Sequence, residues 1–241
     1  MKVTLKTLAK GSEELSYESY RARLRANGGS IVGATKLSTK HSLTQQILNS
    51  PSRADVYLNL DNSIKHMCIP SDVDTYEIRK FLFLPDTKIY KGDYVSYDNF
   101  IYLVINHNTT DTSPQATARL CNYDFPLREE TIKTGDIVGR LPNGKPIYKE
   151  RTIYHTKPCV MTSKIYSSAE NSSIPLPDGA MTIYLPFVVD DPLPELNQKI
   201  TYRQSQYKVT DLIFQNVFKF DNVEKGYVEI RLQRESNTNA T

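Results

Sequence analysis

The stretch "KIYKGDYVSYDNFIYLV", residues 88–104, reads as a strand, a polar kink at Asp98-Asn99, and a second strand ending on an apolar run. Residues 193–209, "LPELNQKITYRQSQYKV", have the same shape. Tyr97 and Tyr102 fall on Tyr202 and Tyr207 at a constant offset of 105 residues, as do Asp86 on Asp191 and Val104 on Val209. Val95-Ser96 is matched by Ile200-Thr201. Downstream, Arg119-Leu120 corresponds to Arg231-Leu232 at offset 112, which predicts a loop seven residues longer in the second copy. The shared order is a Pro/Asp turn, strand, kink, strand, long polar loop and strand. It predicts a small β-barrel present twice.

The rest of the composition agrees with strands. The chain has 241 residues, enough for one large domain or two small ones. Sixteen Tyr, eight Phe and 13 Pro without a Trp favour strands and loops over packed helices. No apolar run approaches the ~20 residues of a spanning helix, so no membrane is expected. The N-terminus "MKVTLKTLAKGSEEL" shows no apolar secretion segment. Cys68, Cys121 and Cys159 are widely spaced and odd in number, which suits reduced thiols better than a disulfide framework. Residues 1–60 hold nine Lys or Arg against four Asp or Glu. Such a basic segment is either a solvated face or a surface for a polyanion or acidic partner.

Helical signals are confined to the first quarter. In "SEELSYESYRARLRANGG", Ser12 caps and Glu13 and Glu14 sit in the first turn. Arg21, Arg23 and Arg25 sit near the end, and Gly28-Gly29 stops it. Tyr17, Tyr20 and Leu24 share one face, expected to dock on a neighbouring subunit or on the portal-side ring. A second helix is expected at "SLTQQILN", with Ser42 and Gln45 at capping-box spacing and Leu43 and Ile47 on its apolar face. The Gly/Ser/Thr-rich stretch between the two helices reads as extended or mobile.

From residue 53 the period is two or the runs are short and apolar. "GDIVGRLPNGKPIYKERTIYH" reads as a hairpin turning at Pro142-Asn143-Gly144, with Gly144 free to take positive φ. The expected organisation is mainly β: a helical N-terminal arm (1–52), two consecutive small barrels or sandwiches (53–128 and 129–235) and a polar tail (236–241). Two polar loops, 106–116 and 167–179, are expected to face a channel or a tail. Asn108, Thr110, Asp111, Ser113, Glu170, Asn171 and Asp178 are their candidate contact residues.

Signs of catalysis are scarce. His41, His66, His107 and His155 lack metal-ligand spacing, and neither HExxH nor CxxC occurs. There is no Gly-rich phosphate loop and no GxSxG elbow. The reading is a non-enzymatic protein without metal or cofactor. Base stacking on Tyr102 and Tyr207, in the manner of an OB-fold bound to single-stranded nucleic acid, is the rival outside that class.

The segments "SYRARLRANGG", "ILNSPSRADVYLN" and "FLPDTKIYKGDYVSYDNFIYLV" together resemble a layout found in the head-closure, or head–tail connector, family of tailed bacteriophages. The matching residues include Leu84-Pro85, Ile89, Gly92-Asp93, Val95, Asn99 and Tyr102-Leu103-Val104. Tyr102 stands where the family often has Trp. The resemblance implies a virion protein made in the host cytoplasm and forming a homo-oligomeric ring, twelvefold rather than sixfold. It implies a portal or adaptor ring on one side, a tail-completion or tail-tube protein on the other, and double-stranded DNA in the channel. A tail-terminator or baseplate-hub protein is the alternative within the same class.

Overall fold

A computed structural model of the chain describes residues 19–22, 25, 29–72, 77–108, 110, 112–166, 173–175, 179–189, 191–220 and 222–235, without the side chains of 128–134, 150–154, 164–166 and 173–175. Strands account for 58% of the chain and helix for 14%, so the expected mainly-β class is the observed one.

The first barrel is built from β1 (Ala54–Leu58), β2 (Lys65–Asp72), β3 (Ile78–Phe83), β4 (Tyr94–Tyr97), β5 (Phe100–Asn108) and β6 (Gln115–Leu120). All pairings are antiparallel, in the order β1-β2-β3-β6-β5-β4, and the barrel closes through Tyr57↔Ser96 and Leu58↔Val95. The second sheet contains β7 (Tyr123–Arg140), β8 (Pro146–Thr162), β11 (Ala180–Val188), β12 (Lys199–Tyr202), β13 (Ser205–Phe220) and β14 (Val223–Arg234). Its order is β12-β13-β14-β11-β8-β7. A small pair, β9 (Lys164–Tyr166) and β10 (Ser173–Pro175), lies between β8 and β11 in the chain.

Matching β7, β8, β11, β14, β13 and β12 to β1, β2, β3, β6, β5 and β4 gives the same topology twice. The second barrel is nearly closed, and side chains bridge its seam. Tyr123 stacks edge-on to Tyr202 and its hydroxyl donates to the Thr201 carbonyl (3.4 Å), while the Gln198 amide donates to the Pro126 carbonyl (3.2 Å).

Local geometry repeats as well. Gly92 and Asn197 have positive φ, and their N–H groups donate to the carbonyls of Val104 and Val209, both at 2.9 Å. The Asp93 carboxylate accepts from Tyr90 N (2.8 Å), and the Gln198 side-chain oxygen accepts from Glu195 N (3.1 Å). The kinks Asp98-Asn99 and Arg203-Gln204 have positive φ at both residues, as a tight hairpin requires. Both copies shift register at the next bulge, between Val104 and Asn106 and between Val209 and Asp211. One expectation needs correction. Ala118 pairs with Val104 and Leu232 with Val209, so the downstream offset is 114, not 112. The extra residues of the second copy form a longer hairpin, β13–β14, instead of a longer loop.

The cores compensate strand by strand. Phe81 on β3 faces Ala116 on β6 across the ladder, whereas the matching pair in the second barrel is Ile183 and Ile230. All four side chains are buried. A large ring beside a methyl group fills about the space of two branched aliphatics, which keeps packing near interior density.

Helix α1 spans Ile31–Asn49, twelve residues more than expected at its start. The stretch read as extended is its N-terminal half. Ser30 caps it by accepting from Gly33 N (3.0 Å). Thr35, Thr39 and Thr44 turn their hydroxyls back onto the carbonyls of Ile31, Thr35 and Lys40. That satisfies the groups that made the stretch look non-helical. The Arg53 guanidinium donates to the Leu48 carbonyl at the other end (2.8 Å).

The paired cores predict a compensating double substitution. Ala116→Ile should overpack the first barrel and cost about 1–3 kcal/mol. Adding Phe81→Ile, which recreates the second barrel's pair, should return more than half of that loss. Urea midpoints of the two single variants and the double variant measure it. Additive losses would show that the two cores are not equivalent.

Candidate functional site

Three structural features stand apart from the barrels proper: a seam between them, a finger that clamps it, and a ribbon that leaves the body.

At the seam, Tyr94 and Leu103 of the first barrel pack with Val160, Tyr184 and Tyr227 of the second, flanked by Ile101, Ile105 and Cys121. The Tyr94 hydroxyl donates to the Pro158 carbonyl (2.6 Å). The link between the barrels is Cys121-Asn122, and both residues are pinned. Cys121 N donates to Ile101 O (2.8 Å) and Asn122 N to Cys159 O (3.1 Å), while the Asn122 side chain spans the N–H and carbonyl of Met161. Burial pushes the Cys68 and Cys121 thiols up to about 12 and raises the Cys159 thiol well above the usual cysteine range. All three are therefore protonated and weakly nucleophilic at neutral pH.

The finger is the outer part of β13–β14. Phe220 lies 4.6 Å from the Tyr90 ring, His107 is edge-on to both, and the Lys225 ammonium sits over Tyr90 at 5.7 Å. Lys91 lies over Phe218 at 5.2 Å and reaches the Asn216 side-chain oxygen at 3.5 Å. Backbones meet here without side chains between them. A Cβ on Gly92 would stand 1.8 Å from the Gly226 carbonyl oxygen, and one on Gly226 would stand 2.0 Å from the Asn216 carbonyl oxygen. Among the described residues, neither ring nitrogen of His107 has a hydrogen-bond partner. Burial, and then the nearby Lys91 charge, hold its pKa below the usual histidine value.

The ribbon is the outer part of the β7–β8 hairpin. Phe125, Leu127, Cys159 and Met161 at its base belong to the second core. Beyond Leu127 the two strands continue as a pair to Arg140↔Pro146 and turn at Gly144, which has φ +81° as expected. The first barrel makes the same connection, between β1 and β2, through residues 59–64. The nine β8 residues 146–154, at ~3.3 Å each, carry the ribbon roughly 30 Å past the barrel, while β7 takes up its extra residues in register shifts. Near its tip Ile137 (54% exposed), Val138 (67%), Leu141, Ile147 and Tyr148 face solvent.

The candidate residues divide. Leu43 and Ile47 are buried by the chain's own body, with α1 against β2 and Lys40 paired to Asp86, so they are not a face for a neighbour. Tyr20 is helical and exposed. Tyr17, Leu24, Asp111, Glu170, Asn171 and Asp178 lie outside the described residues. The first loop is shorter than expected. Asn106–Asn108 and Gln115–Ala116 are strand, and Thr110 and Ser113 tie the remaining turn together, with Thr110 N donating to the Asn108 side chain (3.2 Å) and the Thr110 hydroxyl to Ser113 O (3.1 Å). Tyr102 and Tyr207 point into their barrels and are buried, which removes them as base-stacking platforms. Sequence reasoning missed the ribbon's projection and α1's exposed Ile31, Val32 and Leu37; the apolar pair Ile31-Val32 directly after Ser30 was the available signal for the latter. Among the described residues no three His, Cys, Asp or Glu cluster as metal ligands, and no helix is long and apolar enough to cross a membrane.

The fold and surfaces define a twin-barrel β-protein with a projecting ribbon. A family model described as the YomX C-terminal domain matches residues 122–233, from the link to the end of the second barrel, ribbon included. The SPbeta prophage-derived uncharacterized protein YomX of Bacillus subtilis (strain 168) is 27% identical over 134 residues. The match covers 54% of this chain and 61% of that protein, so the chain spans about three fifths of its relative's length. The chain is thus related to a prophage-encoded protein. A solved structure described as MrkH, a c-di-GMP-dependent transcription regulatory factor, covers 85% of both chains at 14% identity with a TM-score of 0.20, too little likeness to bear on fold or function.

Two outcomes test the clamp. Gly92→Ala and Gly144→Ala carry a similar positive-φ strain of about 1–2 kcal/mol, but only Gly92 is crowded. Gly92→Ala should therefore lower the urea midpoint clearly more than Gly144→Ala; equal losses would mean the barrels do not hold this contact. His107 binds a proton less readily folded than unfolded, so stability should fall as pH drops below the unfolded histidine value of about 6.5. The carboxyls of Asp93 and Glu229, raised chiefly by burial, give the opposite slope at lower pH. The readout is consequently the difference from His107→Phe, which should flatten the curve between pH 7 and 5. An unchanged slope would contradict the burial of this ring.

Proposed function

We propose that this chain is a non-enzymatic structural subunit of a tailed-phage particle, forming the head-closure ring between the portal or adaptor ring and the tail. The observation that carries this reading is the ribbon: a single copy leaves its apolar tip wet, and such patches mark contacts with other proteins. Relation to a prophage-encoded protein supports the phage setting. Two fused barrels with distinct surfaces suit a ring protomer, because ring closure needs one face of each subunit to fit a different face of the next. In this reading twelve copies surround the DNA, the portal or adaptor ring lies on the head side and a tail-completion or tail-tube protein on the other. The polar stretches 109–114 and 167–179 are the candidates to line the channel. Neither carries a Lys or Arg to hold phosphates.

The test is a phage lacking this gene. Particles should have DNA-filled or leaking heads without tails, and antibody to the restored protein should label the neck by electron microscopy. Fully tailed infectious particles from the deletion, or label at the far end of the tail, would refute the assignment.

A further inference from the structure

The outermost turn of the ribbon joins an asparagine to a glycine. Asn143-Gly144 closes a three-residue hairpin loop. Gly144 N donates to Leu141 O and Leu141 N to Lys145 O, both at 2.8 Å, and Gly144 takes the left-handed φ of +81°. Lys145 N donates to the Asn143 side-chain oxygen (3.2 Å), which polarises that amide's carbonyl carbon. Both residues are exposed, and open space surrounds the position where Gly144 would carry a Cβ. No core lies beneath the turn, since Ile137, Val138, Leu141, Ile147 and Tyr148 around it all face solvent. Between 137 and 148 the charged residues are Arg140 and Lys145, a net charge of +2 with no acid.

We infer that Asn143 is a site of spontaneous conversion to aspartate and isoaspartate, and that this conversion ages the ribbon tip of the unassembled chain. The second half rests on the reading of the tip as a contact surface. The chemistry needs only water. The Gly144 nitrogen loses its proton and attacks the Asn143 side-chain carbonyl carbon. The new N–C bond closes a five-membered imide, and the bond to the side-chain nitrogen breaks to release ammonia. Water then opens the imide at either carbonyl. One opening leaves aspartate; the other routes the main chain through the former side chain and leaves isoaspartate. Glycine at the attacking position favours closure because a Cβ there would hinder it. Asn62-Ser63 and Asn99-Phe100, also in exposed turns, lack that freedom. In the closed loop the Gly144 N–H is held by Leu141 O, so cyclisation waits for the loop to open. Opening breaks local hydrogen bonds and uncovers no core, which puts it at the low end of the scale for local unfolding. Either product adds a negative charge, taking residues 137–148 from +2 to +1. Isoaspartate also lengthens the main chain between Leu141 and Lys145 and unlatches the loop. A tip held by a partner stays closed, so assembled chains are spared.

Peptide mapping by mass spectrometry tests this on the full-length chain, held warm at neutral and at mildly acidic pH, with the same chain in concentrated urea as the open-loop reference. In the folded chain Asn143 should lose its amide ahead of Asn62 and Asn99, as a mixture of aspartate and isoaspartate, and faster at the higher pH. Asn143→Gln should abolish the loss, because the larger ring closes far more slowly. An Asn143 that keeps its amide in the folded chain while the urea sample converts would overturn the inference. A second arm compares the free chain with purified particles, where Asn143 should stay an amide. Particles that convert as fast as the free chain would overturn the ageing half and the reading of the tip as a contact, and leave the conversion site standing. Asn143→Asp, with an unchanged thermal midpoint, should enter particles less well than wild type. Equal entry would show that the added charge does not disable the tip and would likewise overturn the ageing half.

Discussion

Strand β5 has no face to spare, and much of the molecule follows from that. Tyr102 and Val104 point into the first barrel, while Ile101, Leu103 and Ile105 point out of it into the second. A strand covered on both faces reads as a continuous apolar run, and "FIYLVIN" is one. Its counterpart in the second barrel, "SQYKVTD", keeps the inward pair as Tyr207 and Val209 but has Gln206, Lys208 and Thr210 outward. One copy thus presents an apolar outer face and the other a wet one. The seam forms once and offers no matching face on the second barrel, so any contact between copies would have to use other surfaces.

The two copies have diverged by insertion as much as by substitution. The ribbon, the small β9–β10 pair and the lengthened β13–β14 hairpin all belong to the second barrel. The finger turns back on the first barrel, where glycines at 92 and 226 let main chain meet main chain. The ribbon turns away. One insertion makes the twin barrels a single unit, and another gives that unit reach.

Much of the fold was legible in the residues, and the reasons it was not fully so are local. Period-two strands, the repeat and the Pro142-Asn143-Gly144 turn all announce themselves, because each depends on short-range chemistry. The helix was half missed because Ser42 looked like a cap and Ser30 did not. Threonine hydroxyls bonded back onto α1's own carbonyls no longer compete with the helix for its backbone groups. The 106–116 stretch looked like a loop because Asn106, His107 and Asn108 are polar, yet His107 is strand and lies against Tyr90 and Phe220, 113 residues away in the case of Phe220. Leu43 and Ile47 were correctly read as apolar, but periodicity cannot say whether such a face meets its own barrel or a neighbour's. The ribbon's projection has the same origin: a hairpin's sequence gives its turn, while only the length of the core beneath it decides where it leaves the body.

The seam also sets a timetable for the protein's birth. The first barrel has all its strands once Leu120 has emerged, but the Tyr227 that covers its outer apolar stripe is roughly 100 residues further on. At about 5–20 residues per second, Ile101, Leu103 and Ile105 wait on the order of 5–20 s on the ribosome before their cover is complete. During that interval the nascent barrel is a folded object with one sticky side. Neighbouring chains on the same message are then its nearest hazard.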